Sequence, residues 1–144
     1  MARFFTQRRY RLAPAAVLAA VLAVALMPSG SNSVKAQTSL ECQGKAVTIA
    51  HVGYEATVSG TDADDVIYIE GGWNTVNAGD GNDIVCTVGH FNTLFGGFGD
   101  DELVGEGLYN VLYGEEGDDL LLTDAETGTL SGGAGRNLCN DSGC

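Results

Sequence analysis

Basic residues are scarce. The 144-residue chain has seven Lys and Arg, and five of them, Arg3, Arg8, Arg9, Arg11 and Lys35, lie before residue 37. Beyond it only Lys45 and Arg136 face nineteen acids, a net charge of −17. Such a chain repels nucleic acid and anionic membrane surfaces. Long apolar runs are also missing. The apolar, Ala-rich stretch 12–27 is shorter than the ~20 residues a membrane-spanning helix needs. Familiar catalytic signatures are missing as well: there is no G-x-S-x-G and no H-E-x-x-H. His51 and His90 have no obvious partner in sequence.

Residues 1–36 read as a secretory signal peptide. A basic start precedes the apolar stretch, and Val34-Lys35-Ala36 places small residues before a cleavage point after Ala36. Arg8-Arg9 alone leaves the export route open between the general and twin-arginine systems. The rest of the chain is expected outside the cell.

What the remainder does have is a period. Ile49, Val58, Ile67, Val76, Val85, Leu94, Leu103, Leu112, Leu121, Leu130 and Cys139 follow one another every nine residues. A flexible glycine-rich linker has no reason to keep apolar residues in phase. Stacked supersecondary units do. The unit is clearest in Gly96-Gly97-Phe98-Gly99-Asp100-Asp101-Glu102-Leu103-Val104. Counting Gly96 as place one, glycines stand at places one, two and four, Asp at six and the aliphatic at eight. Glycines permit positive φ in the turn. The short strand after them points place eight inward, because side chains alternate faces.

This pattern, G-G-x-G-x-D-x-U-x, resembles the RTX, or haemolysin-type, calcium-binding repeat. The resemblance covers about two thirds of the chain. It implies an all-β parallel β-roll bound to Ca²⁺. Place six alternates acid and amide: Asp65, Asn74, Asp83, Asn92, Asp101, Asn110, Asp119. One coil is therefore two nonapeptides, eighteen residues, with acidic turns stacked on one edge. Coils ~4.8 Å apart would crowd their carboxylates, and Ca²⁺ accepts mixed carboxylate and carbonyl ligands. The resemblance implies sites between neighbouring acidic turns. Their expected residues are Asp62 and Asp65, then Asp80, Gly81 and Asp83, then Gly96, Phe98, Gly99 and Asp101, then Gly114, Glu116, Gly117 and Asp119. The best gaps are Asp83–Asp101 and Asp101–Asp119. In the last turn Asn137 replaces Asp, and Arg136 is expected to stand in for an ion.

The opposite edge lacks these carboxylates. There Trp73, Phe91 and Tyr109 are expected to stack, and Asn74, Asn92 and Asn110 to form an amide ladder. A sugar- or partner-binding strip is the competing reading. Residues 37–59 read as a linker and N-terminal cap, 60–140 as the roll and 141–144 as a tail. Four cysteines suit an oxidising compartment, and four allow three pairings. The expected pairs are Cys42–Cys86 and Cys139–Cys144. The first requires the N-terminal segment to fold back across a face of the roll. A thiol–metal site is the alternative, without zinc-like spacing.

Two flat faces complete the expectation. One carries Val66, Tyr68, Ile84, Val104, Leu120 and Leu122 outward. It calls for a partner, a dimer or a covering N-terminal segment. The other carries Thr57, Thr75, Thr93 and Thr129, broken by Val111. That ladder suits exposed strands and also resembles ice-binding faces. The leading reading is a secreted, non-catalytic calcium-binding roll whose folding is coupled to its ions, with a protein or polysaccharide partner on its flat faces. A calcium-dependent polysaccharide-active enzyme is the rival. It would have only Lys45, His51, His90 and Arg136 for base work.

Overall fold

The computed structural model describes residues 40–124, 127–140 and 144. The signal-peptide reading and most of the C-terminal tail lie outside the described residues. The strands are β1 (Glu41–Cys42), β2 (Lys45–Ala46), β3 (Ile49–Tyr54), β4 (Thr57–Ser59), β5 (Val66–Gly72), β6 (Thr75–Asp80), β7 (Ile84–Val88), β8 (Thr93–Phe98), β9 (Glu102–Glu106), β10 (Val111–Glu116), β11 (Leu120–Thr123), β12 (Thr129–Ala134) and β13 (Leu138–Cys139). β1 and β2 form a small antiparallel hairpin. From β3 onward, odd strands build one parallel sheet of six and even strands another of five.

The register is the sequence period made visible. Ile49 pairs with Ile67, Ile67 with Val85, Val85 with Leu103 and Leu103 with Leu121. In the other sheet Val58, Val76, Leu94, Leu112 and Leu130 are joined in the same way. Every such step is eighteen residues, one strand from each sheet per coil. The place-eight residues meet between the sheets, where Ile67, Val76, Val85, Leu94, Leu103, Leu112 and Leu121 are fully buried. Ile69 and Ala78 join them. They occupy place one, whose inward direction the glycine consensus conceals.

The outward apolar face proves to be partly covered by the chain itself. Cys42 is bonded to Cys86, with Cα atoms 5.9 Å apart. β1 lies against β5 and β7. Tyr68, Ile84 and Val104 are all buried. The fold-back pairing thus explains the outward apolar residues of the first coils. The second bridge joins Cys139 to Cys144. The long bridge spans 44 residues, so closing that loop in the unfolded chain is worth roughly 4 kcal/mol by chain entropy. Cys42→Ser is expected to lower the unfolding free energy from denaturant titration by that order, and the midpoint with it. An unchanged midpoint would mean that the hairpin holds without its bridge.

Candidate metal centre

The turn residues at place six are buried on both edges, although they are polar: Asp83, Asp101 and Asp119 on one, Asn74, Asn92 and Asn110 on the other. They are buried because each reaches across to the coil before it. Asp83 Oδ1 accepts the Asp65 N–H at 2.8 Å, Asp101 Oδ1 the Asp83 N–H at 2.8 Å, and Asp119 Oδ1 the Asp101 N–H at 2.9 Å. Place five runs a second ladder with opposite polarity. Asp64 Oδ1 accepts the Asn82 N–H, Asn82 Oδ1 the Asp100 N–H, and Asp100 Oδ1 the Asp118 N–H. Each turn is thereby tied to both neighbours.

The two edges part company at the remaining side-chain atom. On the amide edge Asn92 Oδ1 accepts the Asn74 N–H at 3.0 Å, and Asn92 Nδ2 donates to the Gly71 carbonyl at 3.1 Å. Asn74 and Asn110 do the same toward Gly53 and Gly89. On the acidic edge the matching atom is a second oxygen with nothing to donate. Oδ2 of Asp83, Asp101 and Asp119 is buried and has no hydrogen-bond partner. A buried polar atom without a partner is costly and calls for an explanation.

Its surroundings are oxygen-rich. A Cβ placed on Gly96 would run into Asp101 Oδ2 and sit 2.6 Å from the Gly114 carbonyl oxygen. One on Gly114 would run into Asp119 Oδ2 and sit 2.6 Å from the Gly132 carbonyl. First-place glycine keeps this cradle open beside Asp101 and Asp119, whereas Ala78 holds that place in the Asp83 turn. Among the described residues no three His, Cys, Asp or Glu side chains converge on one point. An ion on this rim would have to take main-chain carbonyls as well, as hard cations do. Burial pushes the Asp101 carboxyl up to about 7, with Asp83, Asp119 and Asp100 adding repulsion and the Asp83 N–H opposing. Asp83 and Asp119 are also raised, again mainly by burial.

The ends of the edge differ. Asp65 has both oxygens engaged, by the Thr48 hydroxyl on Oδ1 and by the Thr61 N–H and hydroxyl on Oδ2. At the far end Asn137 Oδ1 accepts the Asp119 N–H, and its Nδ2 points to the Gly133 carbonyl at 3.4 Å. Beside it Arg136 Nε donates to Asp118 Oδ2 at 3.0 Å. The Arg136 backbone N–H, which donates to Asp118 Oδ1 at 2.9 Å, and then this side-chain pair hold the Asp118 carboxyl below the usual range.

The family model for the RTX calcium-binding nonapeptide repeat matches residues 54–85, 89–108 and 95–130, four copies in all. The chain belongs to this family. Comparison with curated proteins gives no match, and comparison with solved structures gives none. Calcium is thus the ion this repeat family implies, and the orphaned oxygens of this RTX roll suit it. The matched segments take in Asp62, Asp65, Asp80, Asp83, Asp101 and Asp119. In the RTX roll Gly81, Gly96, Phe98, Gly99, Gly114, Glu116 and Gly117 fall in the same stacked turns.

Sequence reasoning did not find the Oδ1 ladder or the engagement of Asp65. Thr61 was the available signal, since it stands where Gly79 and Gly97 stand in the next turns. The opposite edge of the RTX roll matches expectation. Trp73 stacks on Phe91 at 4.3 Å, and Phe91 on Tyr109 at 5.0 Å.

Proposed function

We propose that this protein is a secreted calcium-binding β-roll without catalysis, serving a structural or interaction role, and that it folds fully only with its ions. The observation that carries the reading is the row of buried, unpartnered Oδ2 atoms on Asp83, Asp101 and Asp119. Three such atoms support three ions, one for each gap from Asp65 to Asp119. Carbonyl groups of the stacked turns, at Asp62, Asp80, Phe98 and Glu116 among others, complete the ligand sets. The last gap is closed by Asn137 and the Arg136–Asp118 pair instead. Two disulfides support an oxidising, extracellular destination.

The enzyme reading finds less support. Arg136 is paired with Asp118, Lys45 acts on Glu102 across the hairpin face, and His90 Nδ1 accepts the Leu108 N–H. These groups are spread over different surfaces, whereas base chemistry needs them in reach of one substrate. A threonine face for ice remains a reading of sequence pattern alone.

Calorimetric titration of the chelator-treated chain is expected to give three calcium ions, and far-UV circular dichroism to gain strand signal as they bind. A chain that keeps its full strand signal in excess EDTA and takes up no calcium overturns the proposal.

A further inference from the structure

A second site lies on the outer surface of the even-numbered sheet, bordering the ion-bearing turns, whose Asp80 and Phe98 give their carbonyls to the rim and their side chains to this site. A trough of about 430 Å³ runs along the roll axis there. Gly79 and Gly97, paired in register, form its floor. Asn77 and Phe95 make one wall, and Asp80 and Phe98 the other. Phe95 is braced by Tyr113, stacked on it at 5.0 Å. Phe98 is 58 % exposed.

Glu115 closes one end. It pairs with Gly97 on one side and Gly133 on the other, and it shares their backbone: φ is 77° at Glu115, 115° at Gly97 and 85° at Gly133. A side chain other than glycine is strained in that region. The fold therefore holds a carboxylate at the trough's end against a backbone preference for glycine.

The chemistry selects a cation. Aromatic walls attract a positive charge through the ring faces, and two carboxylates offer charge-assisted hydrogen bonds. Neither basic side chain among the described residues answers them. Arg136 is bonded to Asp118, and Lys45 stands on the hairpin that crosses the other sheet. A neutral sugar could lie on the rings and on Asn77, but would leave both carboxylates without a counter-charge.

We infer that this trough receives an arginine or lysine side chain from a basic segment of a partner protein. The inference rests on the calcium-loaded roll, which sets the spacing of the walls. The test uses the full chain saturated with calcium, with calcium titrated first so that ion count and peptide binding are read separately. The probe is an arginine–glycine repeat peptide. Its citrulline counterpart supplies the same shape without charge, and a neutral glucan hexasaccharide tests the sugar alternative. Glu115→Gly removes the carboxylate and relieves the strained backbone. Phe95→Ser installs the residue found at the equivalent Ser59 and Ser131. Both variants are expected to keep the calcium count and to weaken the arginine peptide at least tenfold. Glu70→Gln, elsewhere on the chain, is expected to leave it unchanged. Equal binding by all variants, no preference for arginine over citrulline, or binding of the glucan in place of the peptide would overturn the inference.

Discussion

A chain carrying Asp83→Asn, Asp101→Asn and Asp119→Asn is expected to reach in EDTA the full fold that the native chain, on the proposed coupling, completes only with calcium. Two sets of residues already show the arrangement. Asn74, Asn92 and Asn110 use Oδ1 for a neighbouring N–H and Nδ2 for a carbonyl. Asn137 does the same on the acidic edge itself, toward Gly133. An amide at 83, 101 and 119 would keep the Oδ1 ladder and turn each orphaned oxygen into a donor. Each hydrogen bond gained is worth about 1 kcal/mol, and each buried oxygen relieved a further ~1–3 kcal/mol. Three replacements together approach the whole stability of a small domain, ~5–15 kcal/mol. In EDTA the far-UV spectrum of the variant should match that of the calcium-loaded native chain, and calcium should no longer change it. A variant as unfolded in EDTA as the native chain would show that calcium does more than satisfy three oxygens.

Calcium affinity is expected to fall about thirty-fold from pH 8 to pH 5.5, with close to one proton released at the Asp101 site at the acid end. The Asp101 carboxyl is raised to about 7 in the metal-free fold, chiefly by burial. A raised carboxyl stabilises the fold when protonated. That contribution is complete below about 3.8 and is lost as pH rises through about 7. Acid therefore favours the metal-free roll, while alkali favours the ion. Protons and calcium compete for one oxygen. Titrations in buffers of different ionisation enthalpy at pH 6 would reveal the proton release. A pH-independent affinity across this range would place the ions away from Asp101.

How much of this was legible beforehand follows from what a period can carry. A repeat of eighteen fixes which residues stack, so Ile67 above Val85, the Trp73–Phe91–Tyr109 column and the acidic row could be read directly. It carries no polarity. That place six reaches backward along the roll and place five forward depends on the direction of N–H groups in turns, which no spacing records. Nor does the period describe departures from itself. Thr61 engages Asp65, and Glu115 takes a glycine's backbone, because each occupies place two with a side chain. The cover over Tyr68 and Ile84 was one of three readings left open beside a partner and a dimer, because it depends on a segment outside the repeat; the expected Cys42–Cys86 bond carries that segment across this face.

That bond also decides how the molecule answers a mechanical load. A pull applied at Leu40 travels through two residues of backbone and then through sulfur into Cys86, in the third strand of its sheet. The first windings are bypassed and cannot be peeled off one at a time from that end. Reduction of the bond would redirect the tension to β3, and unravelling could then begin at the outermost winding.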